Sequence, residues 1–124
     1  MTEQLRVLVV DEKETLTKVV GIALGLEGWQ VRAIARGAEA VDAALDFAPH
    51  AILLDISLPD ANGVDVAAQL RASGVVAPIL FLTGHDSLED RLAAYAAGGD
   101  DYITKPFGLG ELTSRVRTWL PRAA

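Results

Sequence analysis

The sequence predicts a single α/β domain built on a parallel, doubly wound sheet of five strands and five helices. Three observations predict it. The apolar runs are continuous rather than alternating, as in strands covered on both faces; Ala51-Ile52-Leu53-Leu54, closed by Asp55, is the clearest. Each run is followed by a stretch with apolar residues at helical spacing. The connections are too short to join parallel strands other than by a crossover through the intervening helix.

Leu5 to Val10 reads as the first strand, stopping at Asp11-Glu12. Leu16, Val19, Val20, Ala23 and Leu24 give the next helix its apolar face, and Gly28 is its stop. Trp29 to Ile34 forms the second strand. A helix opened by Gly37 uses Val41, Ala44, Leu45 and Ala48 and is ended by Pro49. The third strand reaches Asp55, and the turn Ser57-Leu58-Pro59-Asp60-Ala61-Asn62-Gly63 follows. Val64, Ala67 and Leu70 mark a helix that ends near Ser73-Gly74. Pro78 to Leu82 is a fourth strand closed by Thr83, with Gly84-His85-Asp86-Ser87 as its rim loop. Leu88, Leu92, Tyr95 and Ala96 supply the apolar positions of a fourth helix, which Gly98-Gly99 stop. Asp101 to Thr104 is a short fifth strand before Lys105-Pro106, and a last helix carries Leu112, Val116 and Leu120.

A length of 124 residues, 51% of them hydrophobic, suits one domain over residues 1–120, with 121–124 as a tail or the start of a linker. The net charge of −6 argues against nucleic acid or an anionic membrane as a direct partner, while an acidic cluster suits a divalent cation. Without cysteine there is neither disulfide nor thiol chemistry. Met1-Thr2-Glu3-Gln4 lacks a basic start and an apolar segment, and no run approaches membrane-spanning length. A cytoplasmic, unexported chain is the expectation.

In a parallel sheet all strand C-termini share one rim, so Asp11, Glu12, Asp55, Thr83 and Lys105 converge there despite their separation in sequence. Carboxylates at close range repel, and a hard cation such as Mg²⁺ relieves this while taking oxygen ligands. An Asp carboxylate is a nucleophile for aspartyl phosphate formation; an ammonium neutralises the transferring group and a hydroxyl orients it. Singly, each residue has a simpler account. Asp11 with Glu14 forms a helix N-terminus, Asp55 serves a turn, Thr83 fills a strand and Lys105 is solvated. Their common placement at strand C-termini is what chance does not explain. His85 reads as an exposed loop residue, His50 lies at the wrong end of its strand, and Trp29 and Trp119 read as packing.

Val9-Val10-Asp11-Glu12, Leu54-Asp55 with Leu58-Pro59 and Gly63, Thr83-Gly84 and Lys105-Pro106 together resemble the receiver domain of two-component response regulators, over essentially the whole chain. The resemblance implies a flavodoxin-like sheet of order 2-1-3-4-5 and a phosphoryl group accepted on Asp55 from a sensor histidine kinase. It implies Mg²⁺ on Glu12, Asp55 and the Ser57 backbone carbonyl, with Asp11 acting through water. Thr83 and Lys105 would hold phosphoryl oxygens, Tyr102 would be the switch aromatic moving with Thr83, and Lys105–Pro106 would be cis. Such a chain catalyses only its own phosphorylation and dephosphorylation and is no conventional enzyme. Residues 98–107, with Glu111-Leu112 and Arg115-Val116-Arg117, are similar to the OmpR/PhoB subfamily of transcription factors. That likeness implies a homodimer on phosphorylation through the fourth helix, fifth strand and fifth helix, with Arg91, Asp100, Asp101, Glu111, Arg115 and Arg117 at the interface. DNA would be bound only through an output domain not present in this chain.

The sequence departs from the pattern in two places. Glu12 stands where Asp is commoner, and Lys13 is placed to reach back and compete with metal for the carboxylates. Ser57 and Asp86 occupy positions that resemble those tuning phosphate lifetime. A haloacid-dehalogenase-like phosphatase would need a second Asp where Ser57 stands. A flavodoxin-like cofactor carrier is opposed by the acidic pair, and a phosphate-binding P-loop is absent. A phosphorylation-independent receiver acting as a protein-interaction module stays open as the alternative.

Overall fold

Strands that read as unbroken apolar runs are the ones wholly removed from solvent. Every residue of β3 (Ala51–Asp55) and β4 (Ile79–Thr83) is buried in the computed structural model, which describes residues 4–84 and 87–121. The remaining strands are β1 (Arg6–Val10), β2 (Gln30–Ile34) and β5 (Asp101–Thr104). All pair in parallel, in the order β2-β1-β3-β4-β5. The helices are α1 (Glu14–Leu26), α2 (Ala40–Phe47), α3 (Gly63–Ala72), α4 (Leu88–Ala96) and α5 (Leu109–Trp119). The helix expected from Gly37 starts with a 3₁₀ turn, Gly37–Glu39, before α2. His85, Asp86 and the tail beyond Pro121 lie outside the described residues.

Side chains alternate across each strand, and this builds two cores. Leu8, Val10, Ile52, Leu54, Phe81 and Tyr102 face one side, where α2, α3 and α4 contribute Ala44, Phe47, Val66, Leu70 and Ala94. Val7, Val9, Leu53, Leu80, Leu82 and Ile103 face the other, covered by Val20 and Leu24 of α1 and by Leu112, Val116 and Leu120 of α5. Burial of each such large side chain contributes about 1.5–3 kcal/mol.

In three of the helices the apolar positions read from the sequence are not all buried. The apolar residues that define α4 in the sequence point outward: Leu88 is 72%, Leu92 60% and Tyr95 45% exposed, and Ala96 is exposed as well. Ala94 is the buried residue of that helix, because the space between α4 and the sheet is narrow. A Cβ at neighbouring Gly99 would lie 2.3 Å from Phe81 and 2.9 Å from the Ala94 carbonyl, so only small groups fit there. In α1 Val19 is 42% exposed, and in α2 Leu45 and Ala48 are exposed while Phe47 faces the core. Pro49 ends α2 as expected, after Ala48 takes up a left-handed conformation, φ 50°.

Candidate functional site

Asp55 closes β3, pairing in register with Leu82, and the Ile56 amide donates to the Leu82 carbonyl at 3.0 Å. Asp11 follows β1, its amide donating to the Ile34 carbonyl of β2 at 3.0 Å. Lys105 follows β5, and its amide donates to the Thr83 carbonyl at 2.6 Å. Backbone pairing between neighbouring strands therefore brings residues 94 positions apart into contact. Lys105 Nζ donates to Asp11 Oδ2 at 2.9 Å and stands 3.6 Å from Asp55 Oδ2. The Lys105–Pro106 bond is cis.

This cluster is screened from water. The side chains of Asp11, Asp55 and Lys105 are 0%, 6% and 17% exposed. Burial lifts the Asp55 carboxyl above its ordinary range, and the like charge of Asp11 adds to the rise. Lys105 and the Ser57 amide, which donates to Asp55 Oδ1 at 3.1 Å, oppose the rise without cancelling it. The second oxygen of Asp11 accepts from the Lys13 amide at 2.9 Å, so both carboxylates are held in fixed orientation.

The loop after Asp55 fits closely behind it. A Cβ at Gly63 would lie 2.3 Å from the Asp55 carbonyl oxygen, so glycine is required at that position. The Gly63 amide donates to the Ile56 carbonyl at 2.7 Å, and the Asn62 side chain caps α3 by accepting from the Val64 amide. Thr83 is buried at the end of β4. The two-residue period puts it on the same face as Phe81 and its partner Tyr102. Tyr102 is buried, and the Arg91 guanidinium lies over its ring, 5.3 Å from the centroid.

Glu12 is exposed, apart from the buried pair. Among the described residues no three carboxylate or imidazole side chains converge into a ready cage. The donor set still suits Mg²⁺, which is commonly held by one or two carboxylates and keeps several waters. Two buried carboxylates share the rim, and the repulsion that raises Asp55 is what a hard cation removes. The Lys13 ammonium has no carboxylate within 4 Å among the described residues; it lines a cavity of about 350 Å³ with Leu16, Lys105, Pro106 and Phe107.

The six charged residues expected on the outer face divide into separate sets. Arg115 pairs with Asp101 at 2.7 Å and with Glu111 at 3.8 Å, and the Trp119 indole donates to the other Asp101 oxygen at 3.0 Å. Asp100 turns inward, accepting from Arg71 and from the Ile79 amide, both at 2.9 Å. Arg71 also donates to the carbonyls of Val75, Ala77 and Gly98, which makes it the staple of this corner. Arg117 projects the other way, to Glu27 and the Trp29 ring. Sequence reasoning missed Arg71 and the grip of Asp60 on the Gly37 and Ala38 amides. The only sequence signal for the latter was an Asp inside a turn.

The family model of the response regulator receiver domain matches residues 7–117. The chain is 42% identical over 120 residues to "Probable transcriptional regulatory protein TcrX" and 43% identical over 120 residues to "Transcriptional regulatory protein TrcR", both of Mycobacterium tuberculosis (strain ATCC 25618 / H37Rv). Each match covers 97% of this chain but only 51% and 47% of those proteins, so the chain spans about half the length of the curated relatives it matches. The solved structure described as "BeF3 Activated DrrB Receiver Domain" superposes with a TM-score of 0.86 at 28% identity, covering 97% of this chain and 100% of that one. Both curated relatives are named as transcriptional regulatory proteins, one of them as probable, the class to which the OmpR/PhoB likeness pointed. With its sheet order, its rim of Asp11, Asp55, Thr83 and Lys105 and a family match across nearly its whole length, the chain belongs to the response regulator receiver domains of two-component systems.

Proposed function

We propose that the chain is the phosphoacceptor module of a transcriptional regulator and takes a phosphoryl group from a histidine kinase onto Asp55. The observation that carries this reading is the buried Asp55 carboxylate beside Asp11, with the Lys105 ammonium between them. An Asp55 oxygen attacks phosphorus, the O–P bond forms as the P–N bond to the donor imidazole breaks, and the imidazole nitrogen keeps the electron pair and takes a proton from solvent. Lys105 neutralises charge on the transferring oxygens, and the Thr83 hydroxyl orients one of them. Mg²⁺ would be held by Asp55, the Ser57 carbonyl and the longer side chain of Glu12, with Asp11 acting through water; when bound it supplies further positive charge to the phosphoryl oxygens.

The output reading rests on α4. Its Leu88, Leu92 and Tyr95 form an exposed apolar row on the helix that also carries Arg91, a surface suited to a second copy of the chain. Thr83 and Tyr102 lie on one face of the sheet beneath that helix, which supports their role in relaying phosphorylation to the dimer face. DNA contact would belong to an output domain outside this chain, and the setting of such a regulator is the cytoplasm. No described helix is long and apolar enough to cross a membrane.

Intact mass after incubation with acetyl phosphate and Mg²⁺, beside an Asp55→Asn variant, tests the chemistry. One added phosphoryl group that needs Mg²⁺ and Asp55 is the expected result. No gain under any condition refutes it and favours the phosphorylation-independent module, a reading supported by the exposure of Glu12 and by the Lys105 ammonium already in contact with both buried carboxylates.

A further inference from the structure

We propose that Asp60 is a positioning residue for the phosphoacceptor loop: by clamping the loop after Asp55 onto the segment after β2, it sets where the Ser57 carbonyl stands and thereby the affinity of the site for Mg²⁺. The inference rests on the reading of Asp55 as a phosphoacceptor beside a divalent cation.

Asp60 is exposed, so no demand of the core explains it. Its two oxygens accept from two successive amides, Gly37 at 2.8 Å and Ala38 at 3.0 Å. Two contacts on a planar carboxylate fix its orientation as well as its place, which one contact would not. The loop it belongs to is closed on itself by the Gly63–Ile56 hydrogen bond and an isolated bridge between Ser57 and Asn62. A displacement at Asp60 is therefore passed to Ser57 rather than absorbed. The partner segment is just as confined: a Cβ at Gly37 would lie 2.8 Å from Val66 Cγ2, 3.0 Å from Ala61 Cβ and 3.3 Å from Leu58 Cδ1.

This segment continues directly from β2, whose Ile34 carbonyl accepts from the Asp11 amide. The clamp thus ties the loop behind one buried carboxylate to the strand that holds the other. The spacing between the carboxylates and the Ser57 carbonyl is what a cation with strict octahedral geometry reads. A cap on the 3₁₀ turn with no further role would give the same hydrogen bonds, and the two accounts differ in what its loss does to metal binding.

The test compares Asp60→Asn and Asp60→Ala with Phe47→Leu, a core variant at the opposite end of the sheet that lowers stability without touching the loop. Mg²⁺ is titrated into the unphosphorylated chain, followed by the Ser57 and Gly63 amide resonances, and phosphorylation by acetyl phosphate is then timed across the same Mg²⁺ range. Half-saturating Mg²⁺ is expected to rise about threefold or more in both Asp60 variants, since losing a group that orients a metal ligand typically costs about 10–100-fold in affinity and Asp60 acts on Ser57 at one further remove. Phosphorylation at saturating Mg²⁺ should recover, and Phe47→Leu should match the wild type in affinity. Asp60 variants whose Mg²⁺ affinity equals that of Phe47→Leu overturn the proposal. A wild-type chain that binds Mg²⁺ yet accepts no phosphoryl group overturns the functional reading instead, with the Asp60 comparison still decided by the resonance titration.

Discussion

Replacing Lys105 by Met keeps the length of the side chain and removes its charge, leaving Asp11 and Asp55 facing each other without compensation. At an effective dielectric of about 20, a charge 2.9 Å from Asp11 and 3.6 Å from Asp55 attracts them by roughly 6 and 5 kcal/mol. Most of that is offset by the desolvation Lys105 undergoes on burial, and its side chain remains 17% exposed. A net loss of about 2–3 kcal/mol at pH 8 is expected, which leaves a domain of this size folded.

The loss should depend on pH with a definite sign. The pKa of Asp55 is already raised in the folded wild type, so the folded state holds the proton more tightly than the unfolded one. Such a group weakens stability as pH climbs from the ordinary carboxylate range through its raised folded value. Removing Lys105 takes away its charge and its hydrogen bond, leaving only the Ser57 amide to lower it, and so widens that window upward. Urea unfolding of both proteins at pH 5 and pH 8 should therefore show a small deficit at the lower pH and the full one at the higher. Taking the difference between the proteins cancels every group that titrates alike in both. A deficit equal at the two pH values, or larger at pH 5, would refute the account of the rim as two carboxylates held together by one ammonium.

Three further outcomes are expected. Gly63→Ala drives a methyl group into the Asp55 carbonyl and should cost at least about 1–3 kcal/mol in urea unfolding, with phosphorylation slowed as well. Arg71→Met strips hydrogen-bond donors from the carbonyls of Val75, Ala77 and Gly98 and leaves Asp100 half-buried without its cation; a loss of about 2–3 kcal/mol is expected, read as a drop in thermal midpoint. Leu88→Asp combined with Leu92→Asp should change monomer stability by no more than about 1 kcal/mol, since both side chains are exposed, yet abolish phosphorylation-dependent self-association in light scattering.

The sheet was legible in the sequence because its strands are short, continuous and covered on both faces, and because parallel strands must put Asp11, Asp55, Thr83 and Lys105 on one rim. The periodicity of α4 was legible too, but not its direction. Leu88, Leu92 and Tyr95 have the spacing of a buried stripe, and spacing alone does not say which partner covers it. The outer charges divide between separate sets for a related reason. Arg115 and Arg117 are two residues apart on one helix, about 200° around its axis, so they cannot serve the same face. The inward turn of Asp100 depends on Arg71, 29 positions earlier, a pairing that no local pattern encodes. Glu12 belongs to the acidic pair by sequence, yet it directly follows Asp11, and successive residues leaving a strand end diverge.

The two indoles share a setting that bears on how this molecule can be watched. Trp119 is hydrogen-bonded to the first residue of β5, and Trp29 immediately precedes β2, so both stand at the end of the sheet opposite Asp55. A strand of five residues separates the two ends by about 16 Å. Intrinsic fluorescence is therefore blind to direct quenching at the rim. Any emission change on phosphorylation would be a signal carried through the sheet and α5, with the indole of Trp119 reporting on the ion pair between Asp101 and Arg115.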